Sequence, residues 1–412
     1  MKKKTEEKAL FNSINLYSWL NLFSKLIIPI CILPLIFKKY NADDSQEWLY
    51  FLNIMSMAVF FDFGSISLQN RIYGYIKGKA GISAKVFNTK FNSILLFTSV
   101  FWLFIVFLYL NNVRGSVSLI VVLGLISNYI VVYVQNIIFA QSYIVKSKNI
   151  ETFCNVLRLI YTIVLIQMNS SFDILLNYYY GFYIFLALTY LYLLRKVCVH
   201  YLYGLSNPIN LIKKYKKQIF GAWIATSFST GVFFISNVYL VDKFSAFAWG
   251  NYLLTVRIVD MIANMAFVPF YSRIPNFINM YFKNEKVKLK NEIFRNLLIS
   301  IGIYVALSVF CLVFVNIVLD ILKTNTKLTG IKNALLIFIS MLLYKLGTSF
   351  LQISAFGNKV DWHKPVITQF IMVVAIFLGV QSIGIEYKFS IPFSISVLFF
   401  LPYTIYLARK NF

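Results

Sequence analysis

The sequence predicts an all-α integral membrane protein with about twelve transmembrane helices, arranged as two six-helix bundles. Of its 412 residues 59% are hydrophobic, and the mean hydropathy of +0.72 indicates more apolar surface than one soluble core can bury. The apolar residues fall in runs of about 20, the length that crosses the ~30 Å hydrocarbon core of a bilayer. The net charge of +24 comes mainly from basic clusters between these runs. This pattern suits loops facing anionic lipid and argues against a nucleic-acid-binding surface.

Twelve apolar runs meet this length criterion. The first begins after the basic segment MKKKTEEK and has no small-residue cleavage site behind it, so we interpret it as a retained span and not as a signal peptide. The predicted spans lie at about 13–37, 48–70, 91–110, 117–139, 152–168, 174–194, 219–241, 251–272, 294–318, 331–352, 363–382 and 388–408.

Lysine and arginine set the predicted orientation, because cytoplasmic loops of membrane proteins hold an excess of both. Most of the 39 basic residues lie at the two termini and in the gaps after even-numbered spans, and few lie in the other gaps. We therefore expect both termini to be cytoplasmic.

The longest gap between spans, residues 195–218, falls near the midpoint of the chain. It divides the spans six and six, which predicts an N-terminal bundle over residues 1–204 and a C-terminal bundle over residues 205–412. Aligning the two halves places Arg71-Ile72 opposite Arg273-Ile274, and both pairs precede a lysine-bearing connection. Such a weak internal repeat is common in transporter folds.

Sequence signatures of enzymes fit this chain poorly. Gly74 and Gly78 flank three residues where a phosphate loop needs four, and alanine follows Lys79 where Ser or Thr would bind magnesium. His200 and His363 have no Cys, Asp or Glu at metal-ligand spacing, and the cysteines form no paired motif. We therefore expect neither enzymatic activity nor a metal or organic cofactor.

Charged side chains inside apolar spans are candidate functional residues, because a Lys, Arg or Asp at a helix centre costs on the order of 2.5–3.5 kcal/mol. Lys25 lies near the middle of the first span, and Ser18, Asn21 and Lys25 form a polar stripe on one helical face. We favour a wet cavity at this face over a helix-packing contact with a snorkelling lysine.

The eighth predicted span carries Arg257, Asp260 and Asn264, which share one face because they are three and four residues apart. Two interpretations stay open: an Arg–Asp pair that neutralises itself and holds the helix, or a substrate or ion site. Arg158 and Lys345 also fall within spans but lie about two turns from the predicted cytoplasmic ends, which favours snorkelling for both.

Asp62 is a further carboxylate within a span, in the cytoplasmic half of the second one. Gly64 follows it and permits a kink or a close helix approach. A structural ion pair and a proton or sodium ligand are both open for Asp62, with a slight preference for the pair.

Several segments resemble the Wzx-type flippases of bacterial polysaccharide export. The first predicted span ends in PLIF at residues 34–37. The second ends in DFGSISLQNR at residues 62–71, similar to the Asp-Leu-Gly-like turn and trailing basic residue of that family. The segment FVPFYSRIP at residues 267–275 is similar to the family's Tyr-Pro-Arg-like stretch. The resemblance covers nearly the whole chain and points to the multidrug/oligosaccharidyl-lipid/polysaccharide exporter superfamily.

The resemblance implies two six-helix bundles around a cationic central cavity, in the bacterial inner membrane. It implies translocation of an undecaprenyl-diphosphate-linked oligosaccharide, an O-antigen or similar repeat unit, by alternating access. The family's cavity cations correspond to Lys25 and Arg257. We hypothesise that both bind the diphosphate, with Asn21 beside Lys25, and that Asp62 or Asp260 is the site of H+ or Na+ coupling. The implied partners are the lipid-linked substrate, membrane lipids, and a polysaccharide polymerase with its chain-length regulator.

Other functions stay open. A cation-coupled multidrug exporter of the same superfamily would favour an acidic cavity, whereas the mid-span charges here include two bases. A membrane polysaccharide polymerase would need a large periplasmic loop, and the gaps after odd-numbered spans are all short. A membrane scaffold would leave the mid-span cations unexplained.

Overall fold

In a computed structural model of the chain, the described residues are helical almost throughout and contain no strand. The structure describes residues 2–57, 94, 96–100, 102–103, 118–140, 144–197, 209, 213, 216, 219–221, 223–225, 227–229, 246–321, 327–354, 363–379, 387 and 390–411.

Twelve helices are delimited within these ranges. They are α1 (Lys2–Lys39), α2 (Ala42–Met57), α3 (Leu119–Ala140), α4 (Ile144–Gln167), α5 (Phe172–Val197), α6 (Ala246–Ala266), α7 (Val268–Tyr271), α8 (Ile274–Phe282), α9 (Lys286–Ile321), α10 (Ile331–Ser354), α11 (His363–Gly379) and α12 (Ser390–Asn411).

The apolar runs of the sequence become long helices, which confirms the predicted all-α membrane fold class. Among the described residues, five helices are long and apolar enough to cross a membrane: Val145–Gln167, Phe172–Leu193, Lys286–Ile321, Ile331–Ser354 and Ser390–Lys410. Most of the second, third and seventh predicted spans falls on residues outside the described ranges.

Helix ends follow local chemistry. Asn41 precedes α2 and its Oδ1 accepts a hydrogen bond from the backbone N–H of Asp44 at 2.7 Å, as an N-terminal capping residue does. Asn169, between α4 and α5, and Asn284, between α8 and α9, have φ of 54° and 57°. Asparagine tolerates this left-handed backbone better than most residues, so each allows a short turn between consecutive helices.

The chain forms two compact units, Met1–Gln46 with Gly231–Phe412, and Glu47–Thr230. The first, called unit 1 below, contains α1, the first turn of α2 and α6–α12, and the second, unit 2, contains the rest of α2 and α3–α5. The predicted division into residues 1–204 and 205–412 follows chain order and stays a prediction. The observed units are discontinuous in sequence, because α1 groups with the helices of the C-terminal half.

Within unit 1, α10 packs most extensively against α12. A Cβ at Gly347 would lie 2.6 Å from Cε1 of Phe400, so the absence of a side chain lets the two helices approach closely. The Tyr344 ring stacks on Phe400 with centroids 5.6 Å apart. This contact fixes α10, the helix that carries Lys345.

Within unit 2, α3 packs against α5, and α5 also packs against α4. A side chain at Gly124 would overlap the backbone oxygen of Tyr180, so α3 and α5 are also in close contact. Trp48 of α2 is fully buried and packs edge-on against Tyr179, with ring centroids 4.7 Å apart.

Candidate substrate site

The candidate site is built on one face of α6 in unit 1. Helical spacing places Arg257, Asp260 and Asn264 on that face. All three side chains are half-buried, whereas the intervening Ile258, Val259, Ile262 and Ala263 are buried. The α6 sequence thus combines an apolar packing surface with a polar stripe that remains partly accessible.

Lys345 of α10 completes a closed polar ring with two of these residues. Its Nζ donates a hydrogen bond to Oδ1 of Asn264 at 2.7 Å and lies 3.4 Å from Oδ1 of Asp260. The Asn264 amide in turn donates to Oδ2 of Asp260 at 3.0 Å. Asn264 therefore presents its oxygen to the ammonium and its NH₂ to the carboxylate, so both ends of the amide are satisfied.

Arg257 stands apart from this ring. It lies three residues before Asp260 on the same helix, but Asp260 pairs with Lys345 instead. In the part of the chain that the structure describes, the Arg257 side chain has no hydrogen-bond or ion-pair partner. The α6 face with Lys345 therefore carries two cations and one carboxylate, a net positive charge.

Lys25 of α1 lies at about the same depth as the ring. The Phe37 ring of α1 packs against Gly250 of α6, and α1 also contacts α7, which follows α6. These two contacts make α1 and α6 antiparallel. Lys25 precedes Phe37 by as many residues as Ile262 follows Gly250, so the two lie level because both helices rise about 1.5 Å per residue.

The neighbours of Lys25 in α1 are polar and enclosed. Asn21 is fully buried, and the hydroxyl of the buried Ser24 donates a hydrogen bond to its backbone oxygen at 2.8 Å. Lys25 itself is half-buried. The polar stripe predicted from sequence therefore lies inside unit 1 at Asn21 and remains partly accessible at Lys25.

A second ion pair lies beyond the end of α6. The guanidinium of Arg273 donates a hydrogen bond to Oε2 of Glu292 in α9 at 2.8 Å. Between this pair and the ring, the hydroxyls of Tyr271 and Thr348 lie 3.2 Å apart and join α7 to α10. The Arg273 pair fixes the helix ends and satisfies its own charges.

Comparison with known proteins shows which solved structures share the fold of this chain. No protein-family model and no curated protein sequence matches the chain. Among solved structures it is similar to a ligand complex of the MATE multidrug transporter DinF-BH, with a TM-score of 0.73 and 15% identity over 98% of this chain and 95% of that one. The chain has the MATE transporter fold.

Two further structures share this fold. One is an outward-facing multidrug resistance MATE family transporter of the MOP superfamily, with a TM-score of 0.64, 13% identity, and coverage of 97% of this chain and 94% of that one. The other is a MOP superfamily transporter from Pyrococcus furiosus, described by a reverse polarity of its binding pocket that suggests a different function. Its TM-score is 0.63, with 11% identity over 98% of this chain and 96% of that one.

On this MATE fold, two charged residues differ from their sequence-based interpretation. Snorkelling is wrong for Lys345, whose side chain is only 13% exposed and bonded within the ring. It is also wrong for Arg158 of α4, which is buried under the rings of Tyr179 and Tyr183. The sequence did contain a signal for this contact: Asp260 and Asn264 place two acceptor groups on one face of α6, so a cation from another helix could have been expected there. Lys345 is that cation.

The roles of Lys25, Arg257, Asn21, Asp62 and Asp260 remain predictions. Asp62 lies outside the described residues. A self-neutralising Arg257–Asp260 pair is not formed, and the carboxylate pairs with Lys345 instead. In the described ranges no three His, Cys, Asp or Glu side chains are grouped as a metal site requires.

Proposed function

We propose that the chain is a flippase that moves an undecaprenyl-diphosphate-linked oligosaccharide from the cytoplasmic to the periplasmic leaflet by alternating access. The observation that carries this proposal is the excess of positive charge that Arg257 of α6 and Lys345 of α10 together create around Asp260. Arg257 has no ion-pair partner within the described part of the chain, and the carboxylate on that face is already bound by Lys345.

A half-buried cation without a counter-ion is costly unless a ligand or water compensates it. The diphosphate of a lipid-linked sugar supplies at least two negative charges, and a guanidinium can bind phosphate oxygens with two hydrogen bonds. Arg257 is therefore the principal diphosphate ligand in this proposal. Lys25 contributes a second, less directional charge, and Asn21 holds the polar stripe on which Lys25 lies.

Fold similarity at this level of identity supports transport as a class and leaves the substrate to the site residues. One neighbour with this fold is described by a pocket of reverse polarity and a different function. This precedent supports assigning the substrate from the charges of the site. An anionic substrate fits two cations and one carboxylate.

The cycle needs an energy source, and Asp260 or Asp62 is the proposed site of H+ or Na+ coupling. Asp260 is 44% exposed, so the packed helices around it leave the carboxylate accessible to a coupling ion. The lipid-linked substrate would come from glycosyltransferases and pass to a polymerase with its chain-length regulator, in the bacterial inner membrane with both termini cytoplasmic.

Multidrug export is the second candidate function, and the descriptions of the structural neighbours favour it. DinF-BH is described as a multidrug transporter, and the outward-facing neighbour as a multidrug resistance transporter. A cationic drug could bind the half-exposed carboxylate of Asp260. The neighbours named above are transporters, so a polymerase gains no support from them.

A complementation experiment tests the two functions against each other. The gene would be expressed in a flippase-null strain, and surface glycan would be measured for the wild type, for Lys25→Ala with Arg257→Ala, and for Arg295→Ala. Arg295 is exposed on α9 and serves as the matched control. We expect the double variant to lose at least about tenfold in surface glycan, the effect of removing two phosphate contacts, at unchanged membrane expression.

Full glycan restoration by the double variant would contradict the anionic site. In parallel, the wild type would be expressed in an exporter-deleted strain exposed to ethidium, a cationic dye. Resistance to ethidium without glycan restoration would replace the flippase by the multidrug exporter.

A further inference from the structure

The ring of Lys345, Asn264 and Asp260 is asymmetric in its exposure. The Lys345 side chain is 13% exposed, whereas Asp260 is 44% exposed. A molecule that reaches this point of the polar face therefore meets the carboxylate first. The ammonium becomes available as a binding group only when the carboxylate moves away.

We propose that Asp260 is an internal competitor for the anionic group of the substrate, and that Lys345 is a substrate-binding residue that Asp260 neutralises while the site is empty. This inference rests on the flippase function proposed above and adds Lys345 to its site. On substrate binding, a phosphate oxygen replaces the Asp260 carboxylate at the Lys345 ammonium. No covalent bond changes in this exchange.

The exchange is electrostatically feasible because its two products are both compensated. The displaced carboxylate is nearly half exposed, and in the wet cavity of the proposed function water solvates it, so no buried charge is left unpaired. A phosphate that carries more negative charge than one carboxylate attracts the ammonium more strongly at the same distance. The Lys345–Asp260 separation of 3.4 Å is longer than that of a well-formed charge-assisted hydrogen bond.

Asn264 keeps the ammonium in place during the exchange. Its Oδ1 accepts the shorter of the two contacts of Lys345, at 2.7 Å, and the proposed exchange does not use this oxygen. The α10 backbone beside Lys345 is also fixed, since the hydroxyls of Thr348 and Ser349 donate to its carbonyl oxygen at 2.9 and 2.8 Å. The cation is thus anchored by a neutral group, while its anionic partner is replaceable.

The positive charge of Arg257 adds to this arrangement from the same α6 face, three residues before Asp260. A phosphate that binds Lys345 lies in the field of Arg257 as well, whereas in this structure the Asp260 carboxylate pairs with Lys345 and not with Arg257. The two cations therefore favour a multiply charged anion over Asp260.

A binding measurement on the purified full-length protein tests the exchange, with inorganic pyrophosphate as a soluble probe. Thermal unfolding in detergent would be followed against pyrophosphate concentration for the wild type, Asp260→Asn, Lys345→Gln, the double variant and Asp320→Asn. Asp320 is the matched control, because it forms an ion pair of 3.4 Å with Lys327 at an exposed position of the same unit.

We expect Asp260→Asn to bind pyrophosphate about tenfold more tightly than the wild type, and Lys345→Gln about tenfold more weakly, the size of one partly screened charge pair. In the Lys345→Gln background the Asp260→Asn change should alter pyrophosphate affinity much less, because no ammonium remains at position 345 for the Asp260 carboxylate to neutralise. Asp320→Asn should bind as the wild type does.

Equal or weaker pyrophosphate binding by Asp260→Asn would overturn the inference, and so would an unchanged response in Lys345→Gln. If Asp260→Asn is not recovered as a folded protein, Lys345→Gln decides alone, since only the wild-type lysine should give the response. The flippase function fails separately: its failure is a lack of glycan restoration in the null strain, whatever the pyrophosphate pattern.

Discussion

Two intramembrane cations of this protein are stabilised in different ways, Lys345 in unit 1 and Arg158 in unit 2. Lys345 is held by a carboxylate and an amide, and the carboxylate is 44% exposed. Arg158 is buried, and its guanidinium carbon lies 4.8 Å and 4.5 Å from the ring centroids of Tyr179 and Tyr183. Asn155 accepts a hydrogen bond from it at 3.1 Å.

The anionic partner of Lys345 can be replaced, whereas the aromatic partners of Arg158 cannot. Aromatic rings packed in a helix interface cannot leave a cation when an anion arrives, whereas an exposed carboxylate can. In the described residues Arg158 has no ion-pair partner, and its Nε has no hydrogen-bond partner. This difference favours a structural role for Arg158 between α4 and α5 and agrees with the binding role proposed above for Lys345.

The largest expected effect is the loss of Arg158. In Arg158→Ala, the rings of Tyr179 and Tyr183 lose their cation and a large buried side chain is removed. We expect a destabilisation of about 2–4 kcal/mol from the cavity and the lost cation–π contacts. The apparent melting temperature in detergent measures it, with Arg295→Ala, an exposed arginine, as the control.

Transport per folded molecule decides between the two roles in that variant. A structural Arg158 predicts reduced protein but unchanged glycan export per folded copy. Normal stability with abolished export would show that the unit 2 cation also acts on the substrate, and the contrast with Lys345 would be lost.

The helices were largely predictable, because hydrophobicity and length are local properties. The predicted span at about 331–352 corresponds to α10 (Ile331–Ser354), and the span at about 294–318 lies inside α9 (Lys286–Ile321). Unit membership was not predictable in the same way. The placement of α1 with α6–α12 depends on packing between residues far apart in sequence, as between Phe37 and Gly250.

The candidate site was predictable on α6 and not on α10. Helical spacing brings Arg257, Asp260 and Asn264 together, so one face of one helix could be recognised from sequence. The interpretation of Lys345 used only its distance from a helix end, and such a depth argument contains no information about a partner on another helix. Arg158 was misinterpreted for the same reason, since Tyr179 and Tyr183 lie on the next helix.

A smaller effect is expected from breaking the ring of unit 1. Lys345→Gln removes the cation from Asp260, but in the proposed wet cavity water compensates the half-exposed carboxylate. We expect the pair to contribute about 1 kcal/mol to stability, in the range of partly exposed ion pairs. A double-mutant cycle of Lys345→Gln and Asp260→Asn measures this coupling directly from melting temperatures.

The coupling energy from the double-mutant cycle also tests whether the Lys345–Asp260 pair differs from the Arg158 cluster of unit 2. A coupling of several kcal/mol would mean that the Lys345–Asp260 pair is a rigid structural element like the Arg158 cluster, and the proposed exchange would then be too costly. A coupling near 1 kcal/mol leaves the carboxylate replaceable by a more highly charged anion.

The smallest expected effect comes from variants of Tyr183 in the Arg158 cluster, which consists of Arg158, Tyr179 and Tyr183. These variants separate the contribution of the Tyr183 ring from that of its hydroxyl group. Tyr183→Phe keeps an aromatic face over the guanidinium, so we expect a change in stability within about 0.5 kcal/mol, whereas Tyr183→Leu should lose about 1 kcal/mol more because it removes that face. Thermal unfolding of the two variants measures this difference, which combines the lost cation–π contact with the smaller volume of leucine. Equal losses in both would mean that the hydroxyl holds Arg158, and the cluster would then be a hydrogen-bonded site more like the ring of unit 1 than an aromatic one.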